Sequence, residues 1–140
     1  MIRRADPSEL ALCHALRRKV FIEEQNVSEA EELDGLDDKA IHLLAFGPDG
    51  AALGTARLLQ KGETGKIGRV CVLADHRGKG LGAALIQAAI GEFRALPGIT
   101  RVELGAQCHA LGFYEKLGFT AFGAEYLDAG ILHQDMALAL

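Results

Sequence analysis

Residues 70–85 read Val70-Cys71-Val72-Leu73-Ala74-Asp75-His76-Arg77-Gly78-Lys79-Gly80-Leu81-Gly82-Ala83-Ala84-Leu85. Val70 to Leu73 is a short apolar run of the kind that forms a buried strand, and Ala74-Asp75-His76 reads as a turn. From Leu81 onward, Leu81, Ala84, Leu85, Ala88 and Ala89 fall at i, i+3, i+4, i+7 and i+8, one face of a helix. A strand, a glycine-rich turn and a helix in that order make an anion cradle. The first turn of a helix carries N–H groups without intrahelical partners, and the dipole there favours negative charge. Glycines allow positive φ and close approach of a phosphate to the backbone. Arg77 and Lys79 add formal positive charge, so Arg77, Gly78, Lys79, Gly80, Leu81 and Gly82 read as a diphosphate site.

Two familiar diphosphate loops do not fit. Gly78, Gly80 and Ala83 satisfy G-x-G-x-x-G/A, with Glu103 near the acidic spacing of a dinucleotide fingerprint. That fingerprint opens a βαβαβ half flanked by parallel strands. Here it arrives in mid-chain after antiparallel hairpin patterns, and Glu103 falls early in its strand. No Gly-Lys-Ser/Thr follows, which excludes a Walker A loop.

The chain of 140 residues, 49% of them apolar, suits a single domain spanning residues 1–140 with a real core. No apolar run approaches the roughly 18 residues of a membrane span. The start MIRRADPSEL lacks an apolar signal core, so a cytoplasmic protein without a membrane partner is expected. A net charge of −4 argues against nucleic acid as a partner. Cys13, Cys71 and Cys108 lack metal-ligand spacing, so no metal site is expected and buried thiols are the simpler reading.

Met1 to Arg4 reads as a strand, and Asp6-Pro7-Ser8 opens a helix with the stripe Leu10, Cys13, Leu16 and Val20. Arg17-Arg18-Lys19 reads as a solvated helix face. Glu23 to Asp38 carries eight acidic residues without periodicity and reads as a loop or a broken second helix, either solvated or placed to capture a cationic amine. Ile41 to Gly47 and Ala51 to Gln60 form a hairpin around Pro48-Asp49-Gly50, and Lys66 to Leu73 is the next strand. The helix from Leu81 stops at Pro97-Gly98. Arg101 to Ala106 is a strand, Cys108 to Leu117 a helix stopped by Gly118, and Phe119 to Tyr126 and Ile131 to Leu138 are strands around Asp128-Ala129-Gly130. Gly68, Gly91, Gly105 and Gly112 fall inside elements and mark bulges or close backbone approaches. The order β-α-(α)-β-β-β-α-β-α-β-β is that of an α/β (α+β) protein with a mixed sheet.

Arg77-x-x-Gly80-x-Gly82 has the form Q/R-x-x-G-x-G/A, and Phe113-Tyr114-Glu115-Lys116-Leu117-Gly118-Phe119 places a tyrosine on a helix before a Gly-Phe pair. Together, a helix and a strand apart, these motifs resemble the two signatures of the GNAT superfamily of N-acetyltransferases. Val20 to Val27, Gly68 to Val72 and Leu127-Asp128-Ala129-Gly130-Ile131-x-His133 are similar to a narrower branch of small bacterial proteins of the ElaA/YjcF type. The resemblance spans essentially the whole chain. It implies the GNAT (acyl-CoA N-acyltransferase) fold, a mixed central sheet of about seven strands with helices on both faces. It also implies acetyl-CoA (coenzyme A) as co-substrate and a small-molecule amine as acceptor, and it leaves a homodimer open. Backbone groups of Val70, Cys71 and Val72 would pair with pantetheine as an added strand. Many relatives carry asparagine seven residues before the tyrosine, where this chain has Gln107, an amide one methylene longer.

Attack of an amine on a thioester needs a base for the ammonium proton, donors for the tetrahedral oxyanion and an acid for the departing thiolate. A backbone N–H on the Val70 to Val72 strand could serve the oxyanion. Tyr114, read alone, is a core tyrosine; the resemblance makes it the general acid. Candidates for the base are Glu24, His42, His109, His133 or a water. Arg69, beside the cofactor strand, reads either as a ligand for a substrate carboxylate or as a surface or ion-paired arginine. A coenzyme A-binding regulatory or interaction module without turnover is the competing function on this fold.

Overall fold

Leu43, Leu44 and Ala45 are consecutive and all buried. Successive side chains of a strand point to opposite faces, so the strand that carries them is covered on both sides. The computed structural model describes Met1 to Leu140. Its elements are β1 (Ile2–Arg4), α1 (Leu10–Arg17), α2 (Glu29–Glu32), β2 (Ile41–Phe46), β3 (Ala52–Lys61), β4 (Thr64–Val72), α3 (Leu81–Ala95), β5 (Arg101–Gln107), α4 (Leu111–Glu115), β6 (Thr120–Asp128) and β7 (Ile131–Ala139). One sheet runs β1-β2-β3-β4-β5-β7-β6. The β4–β5 pair is parallel and the others antiparallel, so the sheet is mixed as expected.

The main core lies under α3, where Leu85, Ala89 and Phe93 pack on Leu43, Ile67 and Val102. Phe93 lies against Gly65 so closely that a Cβ there would come within 2.5 Å of its ring. On the opposite face Leu44 and Cys71 meet Cys13, Leu16 and Val20. These three, with Leu10 packed at the edge of the cluster, are the predicted helical stripe, although the chain widens into a π-helical stretch over Arg18–Glu24. The expected helix from Cys108 to Leu117 is shorter, a 3₁₀ turn at Cys108–Ala110 followed by α4.

Two expectations about charge are corrected. Arg17 is not on a solvated face; it is 1% exposed, and Glu32 is 3% exposed. Arg17 Nε and Nη2 donate to the two Glu32 carboxylate oxygens at 2.7 Å each, and Nη1 donates to Asp37 Oδ1 at 2.8 Å. The segment Glu23 to Asp38 is therefore not a solvated acidic loop over its second half. It folds back as α2, capped by the Ser28 side chain on the Glu31 N–H, and its carboxylates clamp the arginines beneath. Arg57 donates to Asp34 Oδ1 and Oδ2, both at 2.8 Å, and Arg69 reaches Asp34 at 3.2 Å. Burial alone would raise the Asp37 carboxyl, but hydrogen bonds from Arg17 and His14 reverse this and hold it below the ordinary range. Periodicity cannot show this, because the partners are brought together by tertiary folding.

Removing one member of a buried ion cluster strands the others without partners, at a cost of about 3–5 kcal/mol. Arg17→Ala is expected to lose stability on that scale. Arg18→Ala, which removes only an exposed partner of Glu29, is expected to cost less than about 1 kcal/mol. Urea denaturation of the two variants side by side checks the contrast.

Candidate active site

The strand β4 is interrupted where the site begins. Arg57 pairs with Gly68 and Thr55 with Cys71, so two residues of β4, Arg69 and Val70, face the single Ala56 of β3. This is a β-bulge, and Arg69 sits in it at φ +51°, a conformation that side chains other than glycine rarely adopt. The parallel register with β5 stops just before it, at Ile67↔Leu104. Beyond that point β4 and β5 diverge, and Val70, Cys71 and Val72 have no strand partner on the β5 side. The predicted cofactor strand is thus a half-paired edge. One of its groups is already engaged: the Val72 carbonyl accepts from Arg77 Nε at 2.9 Å. Burial pushes the Cys71 thiol up to about 12, which leaves it protonated and inert.

The edge leads through the turn Ala74–His76 to the glycine loop. Gly78 and Gly80 adopt φ +76° and +81°, with open space where a side chain would stand. Gly80 is the residue before α3 and offers no side-chain cap. From Gly78 through Ala83 no backbone N–H donates to a protein acceptor; the next along, Ala84, bonds the Gly80 carbonyl at 3.0 Å. A row of unspent N–H groups at the N-terminus of a fifteen-residue helix is a seat for an anion.

A cavity of about 440 Å³ opens in the split between β4 and β5. Both tyrosines of the chain, Tyr114 and Tyr126, line it, as do Arg69, Gln107, His133 and Asp135. Tyr114 is set by the end of α4. Gly118, at φ +100°, turns the chain so that the Phe119 N–H closes on the Tyr114 carbonyl at 3.1 Å. Buried Phe119 then meets the Tyr114 ring edge-on, centroids 6.1 Å apart. This capping geometry is the physical content of the Tyr…Gly-Phe signature. Burial alone pushes the Tyr114 phenol up to about 12, with no hydrogen bond to its hydroxyl from the protein.

The remaining candidates are distributed as follows. Glu24 does not line the cavity; it grips Arg77 with both oxygens, at 2.6 and 2.9 Å, so the expectation of an amine-facing carboxylate there is corrected. His42 is also outside, buried at the start of β2 with Nε2 bonded to the Asp37 carbonyl at 3.0 Å, where it anchors the acidic segment. Arg69 lines the cavity, but its donors go to the Glu31 and Glu32 carbonyls and to Asp34. Gln107 spans Gln25, at 3.0 Å, and His109, at 2.7 Å. Lys79 and Leu81 lie within the row of unspent loop N–H groups. His133 is on the cavity wall, with Nδ1 2.7 Å from the Ile131 carbonyl.

Tyr126 and Asp135 were not among the sequence candidates. The Tyr126 hydroxyl donates to Asp135 Oδ1 at 2.6 Å, and it lies over Gly105, where a Cβ would stand 2.6 Å from the oxygen. Burial first, then the Asp135 carboxylate, holds this phenol far above its ordinary range. Gly105 inside a strand was the available signal: it marks the close approach but not the group that approaches.

Fold and site together define an acyl-CoA N-acyltransferase architecture, and the sequence places the chain within it. Residues 5–140 match the family model described as acetyltransferase (GNAT) domain, and the chain belongs to that family. It is an acyltransferase. The uncharacterized N-acetyltransferase YjcF of Bacillus subtilis (strain 168) is 38% identical over 122 residues, covering 86% of each protein. Among solved structures, an acyl-CoA N-acyltransferase from Pseudomonas aeruginosa superposes with a TM-score of 0.85 at 33% identity, covering 98% of this chain and 96% of that one. Escherichia coli ElaA superposes with a TM-score of 0.83 at 31% identity, covering 98% and 99%. The chain is thus akin to the ElaA/YjcF branch. No helix is long and apolar enough to cross a membrane.

Arg57's hydrogen bonds pull the carboxyl of Asp34, which also bonds Arg69, down to about 2. A carboxyl depressed by folding adds stability that is complete above its unfolded value, about 3.9, and is lost as pH falls toward the folded value. The difference in urea midpoint between wild type and Asp34→Asn is therefore expected to be largest at pH 6 and to shrink by pH 3. A difference that stays constant would detach Asp34 from the network.

Proposed function

We propose that this acyltransferase moves an acetyl group from acetyl-CoA to a primary amine of a small molecule, by direct attack in a ternary complex. The observation that carries the reading is the continuity of three features. The half-paired edge Val70 to Val72 can take pantetheine as a short added strand. It leads to the unspent N–H groups of Gly78 to Ala83, which suit a diphosphate. It borders a cavity whose wall carries a phenol with no partner of its own.

In the reaction, a backbone N–H of the Val70 to Val72 edge would meet the oxyanion as the amine adds to the carbonyl carbon. Tyr114, kept protonated by burial, would give its proton to the departing sulfur. Arg77 already carries a carboxylate, Glu24, on its guanidinium, so the loop's backbone N–H groups rather than this side chain supply most of the anion seat. The acceptor is of limited size, in keeping with a cavity of about 440 Å³.

Thiol release from acetyl-CoA in the presence of a primary-amine panel tests the reading directly. Binding of acetyl-CoA without release of thiol would instead support the module without turnover. Gly80→Asp puts a carboxylate on the anion seat and forces a side chain into the left-handed region; calorimetry is expected to show coenzyme A affinity lost in a protein that remains folded by circular dichroism. Tyr114→Phe is expected to lower kcat by about 10²–10⁴ while the acetyl-CoA Kd stays unchanged. An undiminished kcat, with chemistry rate-limiting, would remove Tyr114 from the acid role.

A further inference from the structure

We propose that His133 is the general base, taking the ammonium proton of the acceptor on Nε2. The inference rests on the acetyltransferase reading above and identifies the group that reading lacks.

The argument begins with the tautomer. His133 Nδ1 lies 2.7 Å from the Ile131 carbonyl oxygen, which can only accept a hydrogen bond. Nδ1 therefore carries the proton, and in the neutral ring Nε2 bears the lone pair. No protein group bonds Nε2, and the residue is on the cavity wall. Ring orientation is held from a second side by Tyr126, which stacks on it with centroids 5.9 Å apart and planes 22° apart. Tyr126 is in turn held by Asp135 at 2.6 Å, in space that only a glycine at 105 leaves open. The tight turn Ala129-Gly130, both at positive φ, begins β7 so that the Ile131 carbonyl faces its own residue 133. Tyr126 and Asp135 are positioning residues for the imidazole.

The other side-chain candidates are spent. Glu24 is on Arg77, His42 is buried outside the cavity, and His109 uses Nε2 on Gln107. The charges around His133 also suit a base that becomes a cation. Asp128 and Asp135 come from the hairpin, Glu31 and Glu32 from α2, and Lys66 and Arg69 from β4. Glu32 is already taken by Arg17, Lys66 is 3.8 Å from Glu103, and Arg69 is on Asp34 and the Glu31 and Glu32 carbonyls, which leaves Asp128, Asp135 and the Glu31 carboxylate as the charges without an ion-pair partner.

The proton balance closes. Nε2 takes H⁺ from the ammonium, giving imidazolium and a free amine. The amine lone pair forms the C–N bond, and the tetrahedral adduct breaks its C–S bond. The thiolate takes the phenol proton of Tyr114, and the second nitrogen proton returns to the phenolate. The imidazolium releases its proton to solvent.

Asn at 133 keeps a donor for the Ile131 carbonyl and deletes Nε2. With whichever of lysine, glucosamine or spermidine wild type acetylates, His133→Asn is expected to lose about 10²–10⁴ in kcat/KM, to lose the acid limb of its pH profile, and to bind acetyl-CoA as wild type does. Long-range ¹H–¹⁵N correlation on histidine-labelled wild type is expected to show that the neutral His133 ring carries its proton on Nδ1 and leaves Nε2 bare, and this needs no turnover. A neutral ring protonated on Nε2, near-wild-type activity of His133→Asn, or an equal loss at every pH would overturn the proposal. Wild type that binds acetyl-CoA and acetylates none of the three amines would overturn the acetyltransferase reading and the base with it. An active wild type with an active His133→Asn would overturn the base alone.

Discussion

A guanidinium at 1% exposure, Arg17, is surrounded by two carboxylates that come from a segment folded back over the sheet. An unpaired charge at that depth would be too costly to keep, so the position of Arg17 dictates the position of Glu32 and Asp37. Those in turn carry Asp34 to Arg57 and Arg69. The cluster joins α1, the acidic segment, β3 and the bulge of β4 into one unit. A hydrophobic cluster of similar volume would be as stable or more so, but it would not hold a guanidinium in the bulge at the mouth of the cavity.

The bulge at Arg69 is the second constraint, and it depends on the first. A side chain at φ +51° is strained, and the hydrogen bonds from Arg69 to α2 help to offset that cost. The extra residue turns β4 away from β5 after Ile67. One backbone irregularity thus produces both the unpaired strand edge and the cavity beside it. On the far side, β6 and β7 close the cavity with a hairpin whose side chains lock one another: Tyr126 on Asp135, and His133 under Tyr126.

The two tyrosines show how burial can be used differently in one site. Tyr114 is shifted by burial alone and has a hydroxyl free to donate. Tyr126 has its hydroxyl committed to a carboxylate and is shifted further in the same direction. The first can serve as an acid; the second is a wall that orients its neighbour.

The sequence by itself determined the order of elements, the mixed sheet, the glycine loop at the head of α3 and the tyrosine on α4. Each of these is a local statement: period 2 or 3.6, a helix start, a glycine at positive φ, a capping glycine before a buried phenylalanine. It marked Gly105 as a close approach and named His133 among several bases. Only the tertiary structure decided that Arg17 is buried, that Glu24 belongs to Arg77, that His42 stands outside the cavity, and that Tyr126 and Asp135 stand inside it. The physical reason is the same in every case. Charge pairing and cavity lining join residues from distant parts of the chain, such as Arg17 with Asp37 or Gln25 with Gln107, and periodicity says nothing about which distant partner a side chain will meet.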